Sequence, residues 1–155
     1  MTDHDEAVYA MRHDLIVDDA PAEADVRFVE AQPIGYNTAT TGYTDYRPLG
    51  VFARDEDGAI RAGLTGFTWG GALKIEYLWV HEQVRGQGYG SRILLAAEQE
   101  VVRRGCHLAV VDTPSFQGSH FYPKLGYAQC GLVEDWPVGH TDTTFRKELR
   151  CPACR

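Results

Sequence analysis

A glycine-rich segment that follows a strand-like run is the clearest place for ligand chemistry in this sequence. Val80 ends an apolar run, Gly86, Gly88 and Gly90 follow, and from Arg92 the chain has the pattern of an amphipathic helix. Glycine has no Cβ, so the backbone N–H groups of such a loop can approach an anion closely. A helix that starts near Gly88 adds unpaired amide donors and the positive end of its dipole. We therefore expect a pyrophosphate to bind here.

The spacing of the glycines distinguishes between phosphate-binding motifs. The dinucleotide pattern Gly-x-Gly-x-x-Gly is not met, because position 91 is Ser, and no Gly-Lys-Ser/Thr is present for a nucleoside triphosphate. The residues instead match Arg/Gln-x-x-Gly-x-Gly/Ala, which reads here Arg85-Gly-Gln-Gly88-Tyr-Gly90. On its own, this six-residue pattern is also compatible with a plain strand-turn-helix connection.

Two segments together carry a resemblance to a known family. The Arg85–Gly90 loop resembles the acyl-CoA pyrophosphate loop of the GNAT superfamily of N-acetyltransferases. Downstream, Phe121–Tyr127 is similar to the helix-to-strand segment Phe-Tyr-x-x-x-Gly-Phe/Tyr of that family. The resemblance implies an α/β (α+β) single-domain GNAT fold, with a mixed, mostly antiparallel sheet and a splayed parallel strand pair flanked by helices. It also implies acetyl-CoA as co-substrate.

The resemblance further implies where acetyl-CoA binds. The thioester is expected in the gap between the two parallel strands, with the pantetheine arm along the strand that ends at Val80 and the pyrophosphate on the glycine loop. Three later residues are placed on the far wall by their position, although many relatives have Asn where this chain has Ser115. The expected cofactor-binding residues are Leu78, Trp79, Val80, Arg85, Gly86, Gln87, Gly88, Tyr89, Gly90, Ser91, Ser115, Phe121 and Lys124.

An amine acceptor must be neutral before it attacks a thioester, and Glu76 is the residue that we expect to assist. A lysine-like amine has a pKa of ~10.4, so its deprotonation at neutral pH costs about 4.6 kcal/mol. Glu76 is the acidic residue within the strand-like run Leu73–Val80, and several members of the resembled family carry an acidic residue there. It can act as general base, directly or through water, or hold the ammonium group beforehand. The alternative is an ion pair with Lys74 on the same strand face.

Tyr122 is expected to protonate the departing CoA sulfur. Phe121 and Tyr122 point in different directions from a short helix, so one ring can pack while the other reaches the gap. A phenol with a pKa of ~10 is protonated at neutral pH, which is the state from which an acid starts. The alternative is a packing aromatic residue whose hydroxyl reaches a backbone group.

The segment from Ala22 to about Thr41 is a candidate for acceptor binding. Its apolar spacing is helical at first, but Pro33 and Gly35 predict a broken helix or a helix-loop-helix. In the resembled fold this irregular segment overhangs the acceptor pocket, which makes Tyr36 and Asn37 substrate-lining candidates. Ordinary packing of these side chains is the alternative.

The cysteines predict no metal site. Cys106 and Cys130 lie in apolar, strand-like runs, where a free cysteine usually behaves as a small buried hydrophobe. Cys151-Pro-Ala-Cys154 could supply half of a zinc site or a redox pair, but zinc requires about four ligands and no second pair has metal spacing. We expect an exposed tail instead.

Length and charge limit the class of function. The chain has 155 residues and a net charge of −7, which disfavours nucleic acid and anionic membranes as partners and favours cationic substrates. With no leader-like N-terminus and no membrane span in the sequence, we expect a cytoplasmic protein. A small-molecule amine such as an antibiotic, polyamine or metabolite is the first choice of acceptor. The alternatives are a peptide or protein amine, or a non-catalytic acyl-CoA sensor, and a homodimer stays open.

The elements that must position these residues follow from hydrophobic periodicity and turn signals. We expect a flexible arm over residues 1–13, an N-acetyltransferase domain over 14–149 and a tail over 150–155. A central helix should end at Gly105, and the strand after it should run parallel to the glycine-loop strand. The other expected elements are strand Leu15–Val17, hairpin Leu49–Arg54 with Ala59–Trp69, strand Leu73–Val80 buried on both faces, strand Leu108–Val111, helix Pro114–Lys124, and strands Tyr127–Val133 and Thr143–Leu149.

Overall fold

The structure, a computed structural model, describes residues 15–149. The chain separates into two compact units, one that ends at Gly42 and one that begins at Tyr43. The predicted N-terminal arm and the Cys151–Cys154 tail lie outside the described residues.

The first unit corrects two predictions. Leu15–Val17 form no strand, and their side chains are at least 86% exposed; no neighbouring strand supplies the hydrogen bonds that a strand requires. Helix α1 (Glu23–Thr41) is continuous through Pro33, so the broken helix is also wrong. A proline removes one helical hydrogen bond, but the bonds on either side can persist. The helix ends where Gly42 adopts a left-handed conformation.

The second unit contains a six-stranded sheet that agrees with the predicted fold. Its strand order is β1-β2-β3-β4-β6-β5, and every neighbouring pair is antiparallel except β3 and β4. The predicted parallel pair is thus confirmed, as are the hairpin and the two C-terminal strands. The strands are β1 (Arg47–Arg54), β2 (Ile60–Trp69), β3 (Ala72–Val80), β4 (Leu108–Pro114), β5 (Ala128–Glu134) and β6 (Thr141–Glu148).

Each strand of the parallel pair is followed by a helix in the chain. Helix α2 (Tyr89–Arg103) follows β3 through a 3₁₀ turn (Glu82–Val84) and packs on β1, β2 and β3. The predicted apolar stripe is confirmed, since Ile93, Leu94, Ala97 and Val101 are all buried. Helix α3 (Phe121–Lys124) is much shorter than expected. Proline is tolerated in the first turn of a helix, and Pro123 lies in that turn because α3 begins at Phe121, two residues before it.

The two cysteines of the described chain differ in their surroundings. Cys106 is buried as predicted, and that burial raises the pKa of its thiol. Cys130 is exposed, so the prediction that it is buried is wrong. It lies on β5, an edge strand, and six of the seven residues of this strand are exposed.

A fork between β3 and β4 is the feature that creates the site. The parallel ladder pairs Ala72–Ile75 with Leu108–Val111, and beyond these residues the strands are no longer paired. On its other side, β3 pairs with β2 through Tyr77 opposite Thr65 and Ile75 opposite Gly66, so that Glu76 has no partner. This extra residue is a β-bulge, which bends a strand and increases its twist. The bulge therefore coincides with the point where the parallel strands separate.

The bulge also reverses which side chains of β3 face the core. Before it, Leu73 and Ile75 are buried; after it, Leu78 and Val80 pack against the core. Because strand residues alternate between the two faces, one extra residue shifts this alternation by one position. Tyr77 is consequently 75% exposed and Trp79 48% exposed. The prediction that this strand is buried on both faces is wrong for its C-terminal half.

Candidate active site

A cavity of about 690 Å³ opens where the fork begins. Its walls come from β3 after the bulge, from the end of β4 and the turn that follows it, and from α3. Eight of the predicted site residues line this cavity: Glu76, Leu78, Trp79, Val80, Arg85, Gly90, Phe121 and Tyr122.

The glycine loop fits a pyrophosphate. Gly86 and Gly88 have φ angles of 75° and 81°, and a Cβ on either residue would meet no atom within 4 Å. The backbone therefore borders open space that a ligand can occupy. The first helical hydrogen bond of α2 runs from the Arg92 N–H to the Gly88 carbonyl (3.1 Å), and no side chain of residues 15–149 caps the start of the helix. The N–H groups of the three intervening residues are thus free of helical bonds, which suits an anion.

Arg85 adds a positive charge beside this loop. Its Nε donates to the Val80 carbonyl at 3.0 Å, which anchors the guanidinium at the end of β3. Its terminal guanidinium nitrogens donate no hydrogen bond to residues 15–149. Gln87 donates from Nε2 to the Gln83 carbonyl at 3.2 Å and so supports the loop from within.

Glu76 is exposed in the bulge and makes no hydrogen bond or ion pair with the described part of the chain. Lys74 pairs instead with Asp112, so the alternative of a Glu76–Lys74 ion pair is wrong. Asp112 Oδ1 also accepts from Thr144 Oγ1 at 2.6 Å. Burial would raise the pKa of Asp112, but the hydrogen bonds from Lys74 and Thr144 outweigh it and lower that pKa. Among the described residues, the carboxylate of Asp112 in the fork thus has two partners, whereas that of Glu76 has none.

Tyr122 is only 5% exposed and lines the same cavity. Its ring packs against those of Phe121, Tyr127 and Phe145 at centroid distances of 5.2, 5.5 and 5.9 Å. Its hydroxyl makes no hydrogen bond to a backbone group of residues 15–149, contrary to the packing alternative. Burial raises the pKa of Tyr122 to about 12, so the phenol is protonated over the physiological pH range.

Among the predicted residues of the second unit, Ser115 and Lys124 do not line the cavity. Ser115 Oγ accepts a hydrogen bond from the Thr141 N–H at 3.3 Å, which ties the turn after β4 to β6. Lys124 is exposed at the end of α3. Tyr36 and Asn37 are exposed on α1 of the first unit, and their part in acceptor binding stays a prediction.

The cavity also includes residues that the sequence did not suggest. Tyr77 lines it because of the bulge, and Asp112 and Thr113 line it because β4 extends past the last parallel pair. Phe116 and Gly118 come from turns that were predicted to be helical. Strand alternation counted from Glu76 places the adjacent Tyr77 on the opposite face, and no local pattern marks the other residues, so sequence reasoning missed all of them.

Known proteins are similar to this chain in both sequence and fold. Residues 12–127 match the family described as Acetyltransferase (GNAT) family. An acetyltransferase of Agrobacterium fabrum is 32% identical over 87% of this chain and 98% of its own length. A blasticidin-S acetyltransferase of Streptomyces morookaense is 35% identical over 70% of this chain and 83% of its own length.

A solved structure extends this likeness to three dimensions. A crystal structure of an acetyltransferase from Bacillus cereus has a TM-score of 0.79 and 34% identity, and the match covers 90% of this chain and 99% of that one. Together with the glycine loop and the forked strand pair, these matches show that the chain belongs to the GNAT family and is an acyl-CoA-dependent N-acetyltransferase whose co-substrate is acetyl-CoA.

Proposed function

We propose that this enzyme acetylates a primary amine of a small cationic molecule, such as an antibiotic, a polyamine or a metabolite. The observation that carries the proposal is the carboxylate of Glu76, which has no partner within residues 15–149, in the same cavity as the protonated phenol of Tyr122. The cavity of about 690 Å³ must hold the acyl end of acetyl-CoA as well as the acceptor, which favours a small acceptor. The similarity to a blasticidin-S acetyltransferase supports an antibiotic-like acceptor.

The amine attacks the thioester directly in a ternary complex. Glu76 holds the ammonium group and accepts its proton, directly or through water, and the neutral nitrogen then attacks the acetyl carbonyl carbon. The C–N bond forms, the C–S bond breaks, and its electron pair goes to sulfur. Tyr122 donates its phenol proton to that sulfur and then recovers a proton from solvent. The nitrogen releases its second proton to solvent. The products are the amide, CoA thiol and one net proton.

A peptide or protein amine is the second candidate acceptor.

Within residues 15–149, no helix has the length and apolar character needed to cross a membrane. A cytoplasmic location and a homodimer are further proposals, which fractionation and analytical ultracentrifugation can test.

The reaction is tested by measuring CoA release from the full chain with acetyl-CoA and a panel of amines. The panel should contain blasticidin S, spermidine and a lysine-containing peptide. Small amines should be acetylated with a higher kcat/KM than the peptide, and initial-rate plots with both substrates varied should intersect. Parallel plots would indicate a covalent acetyl-enzyme and contradict direct attack. Preference for the peptide would contradict the small-molecule acceptor.

A further inference from the structure

Three exposed aromatic rings line the mouth of the cavity, and none of them takes part in the proton transfers proposed above, although Trp79 was also expected along the pantetheine arm. Tyr77, Trp79 and Phe116 are 75%, 48% and 55% exposed, and all three line the cavity. We call these residues the aromatic rim. Each such ring offers a large apolar surface, and apolar surface that is concentrated at a binding cleft usually has a ligand.

The rim comes from both arms of the fork. Tyr77 and Trp79 follow the bulge on β3 and share one strand face, opposite to that of Leu78 and Val80, which pack on the core. Phe116 follows the end of β4. A ligand in the fork therefore meets rings from both strands.

Two of the rings are held in place by neighbouring imidazoles. Trp79 contacts His81 edge to face, with centroids 5.8 Å apart and planes at 83°. Phe116 contacts His140 in the same manner, at 4.9 Å and 74°. His81 is itself fixed, because its Nδ1 accepts the Gln83 N–H at 3.2 Å. The rings are thus oriented before any ligand arrives, which lowers the entropy lost on binding.

Glu76 lies next to this rim in sequence and in the cavity. Its carboxylate has no partner among residues 15–149, whereas Asp112 is already bound by Lys74 and Thr144. A cation that enters the fork thus meets the unpaired charge of Glu76 beside aromatic surfaces, and aromatic faces attract both flat rings and cations.

We propose that the aromatic rim selects acceptors that carry a flat, unsaturated ring near the reactive amine. The ring stacks on Tyr77, Trp79 and Phe116 while the amine reaches Glu76. This inference rests on the proposed function, because it assigns the acceptor class for the same reaction. A saturated ring of equal size fits the mouth but stacks poorly.

The test uses two amines that differ in ring type alone, 2-phenylethylamine and 2-cyclohexylethylamine. CoA release gives kcat/KM for both with wild type, Tyr77→Leu, Phe116→Leu and Tyr77→Phe. Phe52→Leu is the matched control, because Phe52 is 49% exposed on β1 and does not line the cavity. Comparing one pair of amines across variants cancels their difference in basicity.

Wild type should have a kcat/KM about fivefold higher for the aromatic amine, mainly because its KM is lower. A fivefold preference is about the size expected of one favourable ring contact. Tyr77→Leu and Phe116→Leu should reduce this preference to about twofold or less, whereas Tyr77→Phe and Phe52→Leu should retain it. Transfer to both amines without any preference, or a preference unchanged in the Leu variants, would overturn the ring inference and leave the proposed function standing. Absence of transfer to every amine, with CoA still bound in a titration, would overturn both.

Discussion

Gly66 faces the carbonyl oxygen of Lys74 so closely that a Cβ on Gly66 would overlap that oxygen. Gly66 is the β2 residue opposite the beginning of the bulge, and Glu76 is the unpaired residue that the bulge creates. The absence of a side chain at position 66 therefore permits the bulge that presents Glu76 to the fork.

Gly66→Ala should consequently impair both stability and catalysis. The overlap involves backbone, which cannot rotate away, so we expect a loss of about 1–3 kcal/mol in the free energy of unfolding. Displacement of Glu76 should lower kcat about tenfold to a hundredfold. Gly63→Ala is the control on the same strand, because its Cβ would approach the exposed side-chain ring of Phe52 most closely and would meet backbone, the Val51 carbonyl oxygen, only at an ordinary contact distance of 3.5 Å. Urea unfolding and CoA release measure the two effects, and wild-type turnover in a folded Gly66→Ala protein would contradict this role of the bulge.

Gly88→Val should weaken CoA binding by at least about tenfold, the equivalent of one lost charge-assisted hydrogen bond. The branched side chain would occupy the open space beside the loop. The φ of 81° also strains any L-residue, so a strain control is needed. Gly58→Val serves this purpose, because Gly58 has a φ of 83° and open space in the β1–β2 turn. Calorimetric titration with CoA should show a loss of affinity for Gly88→Val and not for Gly58→Val. An affinity of Gly88→Val for CoA equal to that of wild type would argue against the pyrophosphate assignment.

Glu76→Gln should lower turnover most at low pH, where more of the acceptor is protonated and must lose a proton. CoA affinity should change little, because Glu76 lies outside the glycine loop. Glu56→Gln, an exposed change in the β1–β2 turn, should leave the pH profile unaltered. Profiles of kcat/KM from pH 6 to 9 decide the point, and parallel curves for Glu76→Gln and wild type would remove Glu76 from the proton-transfer step.

Tyr122→Phe should reduce kcat about a hundredfold, at the low end of proton-transfer catalysis, because a CoA thiolate is already a tolerable leaving group. The ring packing with Tyr127 and Phe145 should survive. Steady-state kinetics with an accepted amine, alongside a CoA titration, test this expectation. A kcat within threefold of wild type would mean that water protonates the sulfur.

The raised pKa of Tyr122 also predicts a pH dependence of stability. The phenol has a pKa of ~10 in the unfolded chain and about 12 in the folded one. Its protonated form is therefore favoured by folding, and this contribution is complete below pH 10 and lost as the pH rises towards 12. Between these pH values, the free energy of unfolding of wild type should fall by up to about 1.4 kcal/mol per pH unit more than that of Tyr122→Phe. Urea unfolding at pH 9, 10 and 11 gives the free energy of unfolding of both proteins. An equal change of this free energy with pH in wild type and Tyr122→Phe would contradict the prediction.

Local sequence determined the part of this site that is proposed to bind the cofactor. The glycines at 86, 88 and 90 lie between an apolar run and an amphipathic helix, and each feature depends on neighbours within a few residues. Phosphate binding by such a loop uses backbone N–H groups that are adjacent in the chain. The parallel strand pair was predictable for the same reason, because a helix between two strands connects parallel neighbours.

Only the tertiary structure decided the part of the site that is proposed to bind the acceptor. The register between β2 and β3 leaves Glu76 unpaired, and that register depends on the fit of Gly66 against Lys74, two segments joined through a turn. The resulting shift in alternation exposes Tyr77, and the end of the parallel ladder brings Asp112 into the fork. Pairing across strands is a non-local choice, so the periodicity of a single strand cannot reveal where it gains a residue.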